Sequence, residues 1–294
     1  MRTTQELSHR FSGDDTSKEQ SVCELQLLFE SPGFFQRLKS MMGVDFYRLF
    51  HTPLFYIFLA IAAIIPAMVL GTTGMETAKG AVPMYTNTWQ MIAAKTPLYM
   101  VSDIGEYANM NMVFIFGGIM VSIFIGHDYK SGYVKQLFTT HAKKQDYMMS
   151  KSITGAFAMA CMCITYLLGT VVSGLLTGTS FEVHAGSLIL AVLSKMIMSL
   201  GWTSLYTFLN IIFRRYFGIS IVSSFFFGTG IVIIGAGAIV GNSPILNLFL
   251  YGSSVYACLT SNFVTLSICL ACSAAWAVIY NVLGTRILSK CDVY

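Results

Sequence analysis

The stretch His127-Asp-Tyr-Lys-Ser-Gly-Tyr-Val-Lys-Gln-Leu-Phe-Thr-Thr-His-Ala-Lys-Lys-Gln-Asp-Tyr-Met-Met-Ser-Lys151 decides how this chain is read. It is polar, basic and studded with aromatic residues, and long apolar runs flank it on both sides. Within it, Tyr133, Val134, Leu137 and Phe138 are apolar, with Lys135 and Gln136 between them. That spacing puts one apolar face on about two helical turns. A second short helix, Lys144–Ser150, is expected to lead into the next apolar run.

Working outward, the composition fixes the class. The 294 residues are 55% hydrophobic and only 11% charged, and the mean hydropathy is +0.65. Soluble domains carry about 25% charged residues, so a water-soluble globule is excluded. The apolar runs are long and continuous, not short and alternating, which points to an all-α membrane protein over a β-barrel. Six spans are expected, at about 54–72, 109–126, 153–176, 187–212, 219–240 and 263–286, each near the ~20 residues that a roughly 30 Å hydrocarbon layer requires.

The first 33 residues are polar and are expected to be flexible and to hold no cleavable signal peptide. In residues 34–52, Phe34, Phe35, Leu38, Met41, Met42, Val44, Phe46 and Leu49 alternate with Arg37, Lys39, Asp45 and Arg48, a mixture suited to a helix lying in the membrane interface. Basic residues set the orientation. Six lie in the N-terminal segment, five in 127–152, two at Arg214 and Arg215, and two at Arg286 and Lys290, whereas the opposite loops hold only Lys79 and Lys95. Both termini are therefore expected in the cytoplasm. On the outer side, Pro244 precedes Ile245-Leu-Asn-Leu-Phe-Leu-Tyr251 within 242–262, too apolar for a solvated loop and too short to cross, so a re-entrant or interfacial half-helix is expected.

Few residues suggest chemistry. Gly228-Thr-Gly-Ile-Val-Ile-Ile-Gly-Ala-Gly237 resembles a dinucleotide fingerprint only superficially, because no strand precedes it and no acidic residue follows. Ser220, Ser224 and Gly228, and likewise Gly237 and Gly241, recur at four-residue spacing, which lets helix backbones approach closely. Packing within the chain and a contact between subunits both fit that pattern. The histidines are scattered, and Glu182 with His184 does not make a metal site. Cys161 and Cys163 point about 200° apart on a helix, so packing is favoured over copper binding. No nucleophile has a partnered base, and no catalytic residue or metal is expected. Lys195 is the one charge well inside a span. It either snorkels to the interface or lines a polar pathway.

Asp128, Gly132, Val134, Lys135, Leu137, Thr139, Lys144, Tyr147 and Lys151 together resemble the cytoplasmic loop of ABC-2 type transporter permeases, including those of bacterial peptide-export and peptide-immunity systems. In that family an acidic residue after span two precedes a Gly, a short apolar helix, a Ser/Thr-rich bend, a basic residue, then Tyr and Lys opening span three. Lys144 stands where Arg is commoner. The resemblance covers about residues 34–290 and implies a type V exporter-like architecture. It further implies a homodimer in the bacterial plasma membrane, with spans one and five at the dimer contact. Two cytoplasmic ATPase subunits would carry ATP and Mg, and Tyr133–Thr139 (Tyr133, Val134, Lys135, Gln136, Leu137, Phe138, Thr139) would form the coupling helix, flanked by the interfacial helix with Arg37 and Arg48. The chain itself would bind no cofactor and no nucleic acid, and would not be an enzyme alone. The Met-, Phe-, Ser- and Gly-rich spans suit an amphiphilic cargo, a hydrophobic peptide first, with lipid or drug as alternatives. A secondary carrier without an ATPase, or a membrane scaffold, are the competing classes. Inverted repeats that would favour a carrier are not found.

Overall fold

The computed structural model describes residues 33–78, 111–139, 142–177, 185–232, 248–259 and 263–290. The described residues form nine helices: α1 Phe34–Phe50, α2 Pro53–Ala78, α3 Asn111–Lys130, α4 Tyr133–Thr139, α5 Lys144–Thr177, α6 Ala185–Ile212, α7 Phe217–Gly228, α8 Leu250–Leu259 and α9 Phe263–Lys290. The polar N-terminus up to residue 32, residues 79–110 (most of the loop expected on the outer side at about 73–108), Glu182, His184, Gly237 and Gly241 lie outside the described residues.

The chain divides into two units, residues 1–39 and 40–294. In the first, the Gly33 carbonyl accepts the N–H groups of Gln36 and Arg37, which starts α1, and the rings of Phe34 and Phe35 meet edge to face at 5.3 Å. The second unit holds all the long helices. Among the described residues, Val113–Lys130, Lys144–Ser173 and Phe263–Lys290 are long and apolar enough to cross a membrane. The pair Phe34–Phe50 and Pro53–Pro66, bent by 66° at the break, adds a fourth if it is one span. Each expected segment overlaps one helix, α2, α3, α5, α6, α7 or α9, but among the described residues three helices, or four with the bent pair, are long and apolar enough to cross. The span expected at 219–240 is interrupted: α7 ends at Gly228 after 12 residues, or about 18 Å of rise, because Gly230, at φ +71°, turns the chain.

Two local differences have plain causes. The short helix expected at Lys144–Ser150 is not separate, because no Gly or Pro interrupts the sequence between Lys144 and Thr154, and α5 runs unbroken for 34 residues. The helix expected within 242–262 covers Leu250–Leu259, later than the apolar stretch starting at Ile245. Its entry is fixed by the Trp276 indole donating to the Leu248 carbonyl at 2.7 Å and by Phe249 stacking on Trp276 at 5.8 Å.

α3, α5 and α6 form the centre, with α2 against α5, α7 against α3, and α9 against α6. Close approach depends on small residues. A side chain at Gly169 of α5 would meet the backbone of Ala63 in α2, whose Cα would lie 2.9 Å away. The core stacks Phe114, Trp202 and Tyr206 with ring centroids 5.4 Å and 5.7 Å apart. Tyr206 meets its polar demand by donating to the Phe114 carbonyl at 3.0 Å, as a buried tyrosine hydroxyl should.

Candidate functional site: a buried charge cluster beneath a short helix

Four charged side chains from α1, the end of α3 and α5 converge in a buried cluster. Lys151 donates to Asp45 Oδ1 at 2.6 Å and pairs with Asp128 Oδ2 at the same distance. Arg48 hydrogen-bonds the other Asp128 oxygen and lies 3.9 Å from Asp45. Ser150 donates to Asp45 Oδ2 at 2.6 Å. The side chains of Lys151 and Asp128 are fully buried, Asp45 is nearly so, and Arg48 is a quarter exposed. Two acids and two bases make the group neutral, which is the condition under which charges persist away from water.

Aromatic rings close over the cations. The Arg48 guanidinium sits 4.2 Å from the Tyr133 ring centroid. Lys151 Nζ lies 4.5 Å from Phe124 and 5.5 Å from Tyr147. Tyr133 is the first residue of α4, so the short helix is tied directly to the charge cluster. Gly132 permits this placement. Its φ of +74° turns the chain sharply between α3 and α4, and that region is open to glycine at no steric cost.

The expected loop motif is thus assembled in space. Asp128 and Lys151 are ion-paired, Gly132 makes the turn, and Tyr147 is buried in a small apolar cluster with Val134, Met148, Ile211 and Leu288, against which Leu137 and Phe138 pack. Lys144 Nζ reaches the Ser289 carbonyl at 3.5 Å and lies 5.9 Å from the Phe138 ring. The apolar face of α4 therefore turns inward onto α5, α6 and α9. Lys135, Gln136 and Thr139 form its exposed face.

Asp45 was not singled out from the sequence. The signal was an acid three residues before Arg48 in an otherwise apolar helix, which needs a partner to be buried. Arg37 lies in the first unit, away from these residues in sequence, and the cluster uses only Arg48 of the two.

The described part of the small-residue stripe packs within the chain. Ser220, Ser224 and Gly228 are the buried face of α7. Ser224 and Ser122 of α3 lie Oγ to Oγ at 2.6 Å. Ser220 donates to Asn210 Oδ1, and the Asn210 side-chain amide donates to Ser122 Oγ at 3.0 Å. A Cβ at Gly228 would come within 2.9 Å of the Tyr206 hydroxyl and 3.1 Å of the Ile115 Cα. These three positions pack against α3 and α6 of the same chain. Lys195 is 2% exposed, with Nζ 5.4 Å from the Phe114 ring centroid. It is held inside the bundle and does not snorkel outward. Cys163 is buried and Cys161 half-buried.

The long apolar helices and the neutral buried charge cluster at one end of them define the class: a multi-pass, all-α membrane protein. No protein-family model matches the chain, and no curated protein matches it.

Proposed function

We propose that this chain is the membrane subunit of an ATP-driven exporter of the ABC-2 type, with six spans and both termini in the cytoplasm. A separate ATPase would bind ATP and Mg. The observation that carries the reading is that Asp128 pairs with both Lys151, at the other end of the loop that resembles the family's, and Arg48, whose guanidinium lies against Tyr133 of α4. A short helix clamped to a neutral buried cluster is a rigid lever. Its exposed face, Lys135, Gln136 and Thr139, is the part a soluble ATPase would grip. Movement of α4 would be passed through Tyr133, Arg48 and Lys151 to α1, α3 and α5 together.

The chain works as a homodimer on this reading. The exposed side of α7, with Ile219, Val222 and Phe226, is the surface left for a second copy, because the small residues face inward. The cargo is amphiphilic, a hydrophobic peptide first, with lipid or drug as alternatives.

The test is purification of the full chain from its native membrane, followed by mass spectrometry and an ATPase assay of the eluate. A stoichiometric soluble ATPase supports the reading. An ATPase-free oligomer overturns it and favours an ATPase-independent carrier, for which the buried cation Lys195 would be the natural coupling group.

A further inference from the structure

A cavity of about 590 Å³ lies between the start of α5, the middle of α6 and the second half of α9. That volume falls in the range of ligand pockets, about 300–1,000 Å³. Its walls are apolar, with Ile153, Leu200, Val278 and Val282. The polar groups in its floor are already paired: Ser152 donates to Asn281 Oδ1 at 3.1 Å, and Asn281 donates to Ser204 at 2.9 Å. The floor thus makes no demand for a polar occupant. Val278 remains 63% exposed, so this chain leaves the apolar wall uncovered.

One end of the cavity is chemically different. Gln145 and Arg286 line it, and no aspartate or glutamate is among its lining residues. Gln145 belongs to the first turn of α5, where backbone N–H groups lack intrahelical acceptors and the helix dipole is positive. Asp146, in the same turn, is buried and does not line the cavity.

We propose that this groove holds one anionic glycerophospholipid. Its phosphate is placed at Arg286 and Gln145, and one acyl chain lies along Ile153, Leu200 and Val278. An apolar slot with a cation and no carboxylate at one end is complementary to an amphiphile with one negative head, and basic pockets between membrane helices recognise such heads. A zwitterionic lipid carries the same phosphate but brings its own ammonium group to an end lined by Arg286 and no acid, and a soluble anion would leave the apolar wall bare. The proposal rests on the membrane class alone and not on the exporter reading, since lipid retention is measured without any ATPase.

The experiment is native mass spectrometry of the full chain released from nanodiscs containing phosphatidylglycerol or phosphatidylcholine. One phosphatidylglycerol per chain is expected to survive delipidation, and phosphatidylcholine is expected to be lost. Arg286→Gln should weaken phosphatidylglycerol retention about five-fold, as loss of one surface cation implies. Val278→Trp should fill the slot and abolish retention. Both positions are exposed, so thermal unfolding of the variants should match the parent. Equal retention of the two lipids, or parent-like retention by both variants, overturns the proposal.

Discussion

Lys151 sits between two carboxylates, 2.6 Å from each, with no exposed side-chain surface. Its removal would leave Asp45 and Asp128 buried with only Arg48 between them. Breaking a buried ion pair by deleting one partner costs about 3–5 kcal/mol, so Lys151→Met should sharply lower the thermal unfolding midpoint of the full chain in detergent. Adding Asp128→Asn to Lys151→Met should recover part of that loss, because the second change removes one stranded charge. The two effects should be strongly non-additive. Additive losses would mean that the four side chains do not act as a unit. At this scale the sequence was half legible. Asp128 and Lys151 stood out as parts of a loop motif, but Asp45 was one charge in an interfacial pattern. Its pairing with a residue over a hundred positions away is set by how α1 crosses α5, which no local periodicity encodes.

Among the elements, α4 was the best read from its pattern. Its apolar positions 133, 134, 137 and 138 predicted a short helix, and the helix spans Tyr133–Thr139. The pattern left open which face a partner would see. Val134, Leu137 and Phe138 pack with Tyr147, Met148 and Leu288, so the outward face is the polar one. Two substitutions on this one helix should therefore separate. Phe138→Asp buries a carboxylate in the apolar cluster and should cost about 1–3 kcal/mol, read as a lower unfolding midpoint. Lys135→Glu is exposed and should leave stability within about 0.5 kcal/mol, while reducing the yield of co-purifying ATPase. If Lys135→Glu retains full ATPase recovery, the polar face is not the docking face. α7 follows the same logic. Its four-residue stripe was visible in the sequence, but its partner was not, because close packing inside a chain and between chains uses the same small residues. Gly228→Val would drive a branched side chain into Ile115 and Tyr206. Overpacking of that kind should cost about 1–3 kcal/mol, measurable in the same unfolding assay, whereas a subunit contact would instead show as loss of the dimer at unchanged stability.

At the scale of the whole molecule, composition and long apolar runs pointed to an all-helical membrane protein, and the described residues hold three helices, or four with the bent pair, long and apolar enough to cross. What composition could not fix was the interior, and Lys195 shows why. In sequence it could equally reach out to the interface or turn inward, since a lysine stem spans several ångströms in either direction. The fold turns it inward, beside Phe114, whose ring stacks on Trp202 at 5.4 Å. A cation at that position can serve packing or passage, and the two roles respond differently to Lys195→Met. Methionine has similar volume and no charge, so Lys195→Met removes the charge without opening a cavity. Intramembrane charges mark pathways by default, so the folded fraction of reconstituted Lys195→Met should move cargo more slowly than the parent, with folding checked by its unfolding midpoint. Parent-level transport by a stable Lys195→Met protein would remove Lys195 from the pathway and leave it a packing residue.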